Sequence, residues 1–281
     1  MRSARATPTP PSPVKGEERK VRGGESARRL RLRPVEGAVY DPRVRAKSIP
    51  KKLKRDAIIE AVLQVQFETA IAPEVLYRKV LDAPVWTGFQ PQRIPGADAR
   101  QRHEPALELR EESGARLARI GPQVFSFHRL APYPGWTTFR PELLAGIEQL
   151  FRGGGGELTA RRLGLRYVNA LSAAHGVGGP ADLDVALTVD SEAVTANLSL
   201  TFTRDVFVGA ACTVRLATNE FVEGGVPEGT TIVDLDVFTK DRQSIKTVAA
   251  VHGWIDAAHD AAKTAFFALL PTRIIDALKD G

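Results

Sequence analysis

The residues that could do chemistry in this chain fall into three groups. His252, Asp256 and His259 stand at i, i+4 and i+7, a spacing that puts two imidazoles and a carboxylate on one face of a helix. A metal could use such a trio. Sites of this kind draw a further ligand from a second element, however, and the other histidines (His103, His128, His175) form no cluster of their own. His259 also borders an apolar stripe, so a core histidine hydrogen-bonded to a neighbouring sheet is the competing reading, and no metal or other cofactor is expected.

The second group is Arg162 and Arg166, either side of Gly164. On an extended strand these three share a face, and two guanidinium groups flanking a missing side chain leave a notch that could hold a carboxylate or phosphate bidentately. Tyr167 and Asn169 follow on the same strand and complete this set of anion- or partner-binding candidates. The alternative is internal pairing of the arginines with Asp234, Asp236 or Glu60. The third group is the nucleophiles, and it is weak. There is no Gly-x-Ser-x-Gly elbow, and the single cysteine, Cys212, lies in an apolar strand pattern that reads as an inert buried thiol. No catalytic residue is assigned.

The elements that must position these groups are legible from periodicity. Ile59, Ala61, Leu63, Val65 and Phe67 alternate with polar residues as in a half-buried strand. Pro73 opens a short helix that Pro84 stops, and extended segments follow at about 89–94, 106–111, 116–120 and 124–128. A helix over about 138–151 ends at Gly153–Gly156. That glycine run follows a helix and lacks Lys-Ser/Thr, so it is a connection and not a phosphate loop. The second half predicts strands at 161–171, 184–189, 196–202, 211–216 and 232–238, then a long helix over about 245–270 interrupted by Pro271. The expected core includes Leu63, Val65, Phe67, Leu165, Leu198, Leu200, Ile255 and Phe266.

Both halves thus run through antiparallel strands into one substantial helix. The fold class is α+β, with two similar sheet-plus-helix modules at 53–156 and 157–281. A single large sheet gripping the C-terminal helix is the alternative, and it would enclose an apolar cavity suited to a small ligand.

Charge separates a third segment. Residues 1–55 carry 17 Lys and Arg against 5 acids, a balance of +12, which leaves −6 for the remainder of a chain whose total is +6. The Pro/Arg-rich arm, residues 1–52, is too poor in large apolar residues to offset the entropy of ordering, so disorder is expected. It reads as a solvated tail or over-called start, as a nonspecific polyanion contact, or, against its clustered prolines, as a transit peptide. A lone cysteine and the lack of any apolar run near ~20 residues predict a soluble, cytoplasmic protein without a membrane span.

Several segments together resemble a known family. They are Leu53 to Val62, Gly135-Trp136-Thr137-Thr138-Phe139, Arg162 to Asn169, Trp254 to Asp260, and Phe266-Phe267. The family is a sporadically distributed prokaryotic one, about 250 residues long, with no established function, and the resemblance runs from about residue 53 to the end. Arg55-Asp56 departs from it, standing where the family pattern has a pair of prolines. The resemblance implies a bacterial accessory protein and supplies no catalytic residue.

The sequence therefore favours a binding or regulatory protein over an enzyme, acting through a protein or nucleic-acid partner, with homo-oligomerisation open. The alternative is a small-ligand binder or hydrolase using a cavity between the sheet and the C-terminal helix. An exposed apolar patch would favour the first, and one pocket with converging polar groups the second.

Overall fold

The computed structural model describes residues 49–50, 53–96, 102–190, 192–194, 198–218 and 228–279. The disorder expected of the arm falls almost wholly outside these residues.

Strand β1 (Ile58–Glu68) follows the alternation, with Ala61, Leu63, Val65 and Phe67 fully buried. Ile59 breaks it and is exposed, because a register shift between Ile58 and Glu60 bulges the strand there. Helix α1 (Pro73–Leu81) has proline in its first turn, where a missing N–H costs nothing. Strands β2 (Phe89–Arg93), β3 (Leu107–Glu111), β4 (Arg116–Gly121) and β5 (Val124–Leu130) form a meander that returns to pair antiparallel with β1. Helix α2 (Trp136–Gly153) follows. It meets α1 closely at Gly153, where a Cβ would come within 2.9 Å of the Val80 side chain.

The second half repeats the plan. Strand β6 (Thr159–Leu171) pairs with β1, Leu63 opposite Leu165. A two-stranded hairpin, β7 (Thr188–Val189) and β8 (Glu192–Ala193), stands outside the main sheet. Strands β9 (Ser199–Phe207), β10 (Ala210–Thr218) and β11 (Thr231–Thr239) form the second meander, and β11 returns to pair with β6. Helices α3 (Val248–Ala268) and α4 (Thr272–Leu278) close it.

The result is α+β. One antiparallel sheet of nine strands runs β2-β3-β4-β5-β1-β6-β11-β10-β9, so strands from residues 53–156 fill one side and strands from 157–281 the other. The sheet is continuous across the β1–β6 seam, and the inward residues on both sides of it pack with the helices in one core. All eight expected core residues belong to this core, with Leu200 only partly buried.

Three elements differ from expectation. The segment 184–189 does not join the main sheet: Leu183 is buried and the Asp184 N–H donates to the Leu269 carbonyl (2.8 Å), so its start docks on the end of α3 and only Thr188–Val189 is a strand, in the small hairpin. β9 pairs only with β10 at the sheet edge, which leaves Phe202 36% exposed; Ala196 and Asn197 lie outside the described residues. α3 starts at Val248 and not Ile245, because Ile245 is held by backbone bonds to Ala160 and the Thr247 hydroxyl accepts from the Ala250 N–H as N-cap. No helix among the described residues is long and apolar enough to cross a membrane.

Candidate functional site

A cleft of about 130 Å³ opens between β6 and α3. Alternation along β6 turns Tyr167 and Asn169 toward the helices, and α3 contributes His259, Ala262, Lys263 and Phe266. Gly135 adopts φ of +90°, a value that suits only glycine, and so swings the chain into α2 with Trp136 as its first residue. The approach to β1, with Asp56 and Ala57, forms the remaining wall. It is tied down by the Lys54 N–H, which donates to the Leu278 carbonyl at 2.9 Å, and by a bridge between Leu53 and Lys279.

Inside, the rings are ordered. Trp136 stacks on His259, centroids 3.9 Å apart and planes within 2°. The Tyr167 hydroxyl meets His259 Nδ1 at 3.0 Å, so Nε2 is the imidazole nitrogen left for a ligand. Tyr133 stands edge-on to Tyr167 at 6.2 Å and to Phe139 at 5.6 Å. Its hydroxyl is buried with no partner in hydrogen-bond geometry among the described residues, although it is near enough to Tyr167 to influence that group's ionisation.

Burial sets the protonation states. It pushes both phenols well above their usual value, so they stay O–H donors at neutral pH. It lowers His259 to about 4, with Lys263 adding to the effect and Asp256 opposing it, so the imidazole is neutral. The sign of the consequence is fixed. The unfolded chain protonates this histidine near 6.5 and the folded one near 4, so stability falls as pH drops through that window. Carboxylates held below their usual values, such as Glu60 and Glu111, lose their contribution only below about 4.5. Denaturant midpoints should therefore fall between pH 6.5 and 4.5 in the native protein and fall less in His259→Gln. Equal slopes for the two proteins would show that His259 is not the group responsible.

The sequence candidates separate across the sheet. Tyr167 and Asn169 line the cleft, whereas Arg162 and Arg166 lie on the opposite face, so the four do not form one site; a period of two forbids it. Arg166 is forked onto Asp234 through two bonds of 2.8 and 2.7 Å. The notch at Gly164 is not open: a Cβ there would stand 3.2 Å from Arg162 Nη1 and 3.4 Å from Asp236 Oδ1. The helix trio does not converge either. Asp256 is clamped by Arg140 of α2 at 2.6 and 2.8 Å, His259 faces Tyr167, and His252 Nε2 is buried without a partner among the described residues. Asn169 donates to the Val233 carbonyl at 3.0 Å. Cys212 is buried and its thiol is pushed up to about 11 by desolvation.

One arrangement escaped the sequence because it needs the β1–β5 register. Ser126 Oγ lies 2.8 Å from His128 Nε2, and His128 Nδ1 lies 2.8 Å from Glu60 Oε1. The order is that of a hydrolase relay. Ser126 is 4% exposed, however, and sits directly across from Arg119, itself held by Glu108; none of the three lines the cleft. Without room for a carbonyl beside the hydroxyl, the chain is a polar ladder that satisfies groups on the sheet face.

No family model and no curated protein matches the chain. Five segments far apart in sequence supply Asp56, Trp136, Tyr167, His259 and Phe266 to this one cleft.

Proposed function

We propose that this chain works by binding, and that its ligand is a small, flat, uncharged molecule of about one aromatic ring held between β6 and α3. The observation that carries this reading is the aromatic cleft itself, on which Trp136, Tyr167, His259 and Phe266 converge from segments far apart in sequence. Trp136, Tyr167 and Phe266 suit a planar apolar body, and the volume of about 130 Å³ limits its size. The Tyr133 O–H, whose contact with the Tyr167 hydroxyl falls outside good hydrogen-bond geometry, can donate to an acceptor, a carbonyl or a ring nitrogen, and a buried hydroxyl without a good partner is costly. No serine, threonine or cysteine is among the lining residues described, which favours retention of the ligand over acyl transfer.

A macromolecular partner finds less support. The large apolar residues exposed among those described are Ile59, Phe202 and Val208, and Ile59 on β1 stands four strands from the β9–β10 edge that holds the other two. A regulatory role in the reducing cytoplasm of a bacterium, in line with the family resemblance, belongs to the same proposal.

Benzamide is a suitable probe, since its ring fits the cleft and its carbonyl can accept from Tyr133. Ligand-observed NMR should register binding, and Tyr133→Phe should weaken it about tenfold. The same substitution should leave the free protein as stable or slightly more stable, because it removes an unsatisfied hydroxyl. Failure of benzamide and related planar amides to bind, or equal affinity in Tyr133→Phe, would refute the assignment.

A further inference from the structure

At the opposite end of β1 and β6 from the cleft, a groove of about 410 Å³ collects five cations: Arg102, Arg161, Arg162, Lys240 and Arg242. Only two carboxylates share its lining, Glu68 and Asp241. Their neutralisation is incomplete. Glu68 alone serves both Arg161 and Arg242. Arg162 reaches Asp236 only at 3.7 Å and otherwise lies over the Phe238 ring at 5.0 Å. Lys240 is drawn to Asp205 at 3.0 Å, and Arg102 makes no ion pair with another described residue.

Four guanidinium groups around one hollow recommend a specific chemistry. Each presents a planar fork that matches two oxygens of a phosphate, and like charges gathered this closely repel unless an anion lies between them. The arginines are also accessible: the side chains of Arg161, Arg162 and Arg242 are 29%, 32% and 65% exposed, and Arg102 is exposed as well. The volume gives room for several phosphate groups. We propose that this groove is a second ligand site, independent of the aromatic cleft, and that it takes a small multiply phosphorylated molecule. Glu68 acts there as the resident anion that the ligand displaces from Arg161 and Arg242.

The test uses the full chain at low salt and tripolyphosphate as the probe, followed by calorimetry. The basic arm also attracts polyanions, so the decisive readings are changes made in the groove itself. Arg102→Gln/Arg242→Gln should weaken tripolyphosphate binding about tenfold or more with the thermal midpoint nearly unchanged. Glu68→Gln should tighten it severalfold, because it removes the competing carboxylate. Bound tripolyphosphate should slow hydrogen exchange at residues 159–162 and 238–242. Three results would overturn the proposal: no binding at low salt, the same affinity in the double variant as in the native chain, or binding of a short single-stranded oligonucleotide that depends on Arg102 and Arg242 when tripolyphosphate does not bind. The last would assign the groove to a nucleic-acid strand.

Discussion

Phe139→Ala should destabilise the protein by about 4 kcal/mol and abolish binding in the cleft together. Phe139 is fully buried on α2, with Phe127 of β5 at 6.3 Å, Tyr133 at 5.6 Å and Trp136 at 6.2 Å between ring centroids. Its removal leaves a cavity in a core that cannot collapse around it, because β5 and α2 are each fixed by neighbours elsewhere. Two of the rings it supports are cleft walls, so the loss reaches the ligand site without touching the ligand. Phe139→Leu separates the effects: it should recover most of the stability but still weaken binding, since a branched aliphatic side chain offers no ring edge to Tyr133. Urea unfolding and probe titration on both variants decide the matter. A cost under about 1 kcal/mol for alanine would mean that the junction of α2 and β5 repacks freely.

The second large effect is on the other face. Arg166→Ala should cost about 2 kcal/mol: breaking a buried pair costs about 3–5 kcal/mol, and Arg166 is 45% exposed, so water recovers part of the loss. Asp234, 11% exposed in its side chain, is the group left without its fork. Replacing both partners, Arg166→Met with Asp234→Leu, should restore most of the stability, because no orphaned charge remains. Ligand binding in the cleft should survive both variants. An Arg166→Ala protein as stable as the native one would show that the pair contributes nothing in solution.

The sequence exposed the elements more readily than the site. β1, the two meanders and the long helices announce themselves through period-two and helical spacing, and their limits move by only a few residues in the structure. What periodicity cannot supply is register and the partner across a strand pair. Arg162 and Arg166 were legible as two cations on one face, but their partners depended on where β11 lies against β6, with Asp236 opposite Arg166. His259 was legible as a histidine beside an apolar stripe, and it does bond the sheet, through Tyr167. Tyr133 carried no signal at all: it sits in a Pro-rich turn, outside any periodic segment, and acquires its role only when β6 is brought beneath it. The basic groove was equally hidden, since its arginines come from β6, from the connection between β2 and β3 and from the turn after β11.

The tie between residues 53–54 and 278–279 has a bearing on synthesis. The wall of the cleft that carries Asp56 is anchored by backbone bonds to the end of α4. More than two hundred residues separate the two ends, and such a closure is among the last contacts a chain can form. During translation β1 can find β5, and later β6, while the cleft still lacks its final anchor. It becomes complete only after residue 279 has left the ribosome, so an occupied cleft would mark a chain translated past that point, and a shorter nascent chain would be unable to sequester ligand.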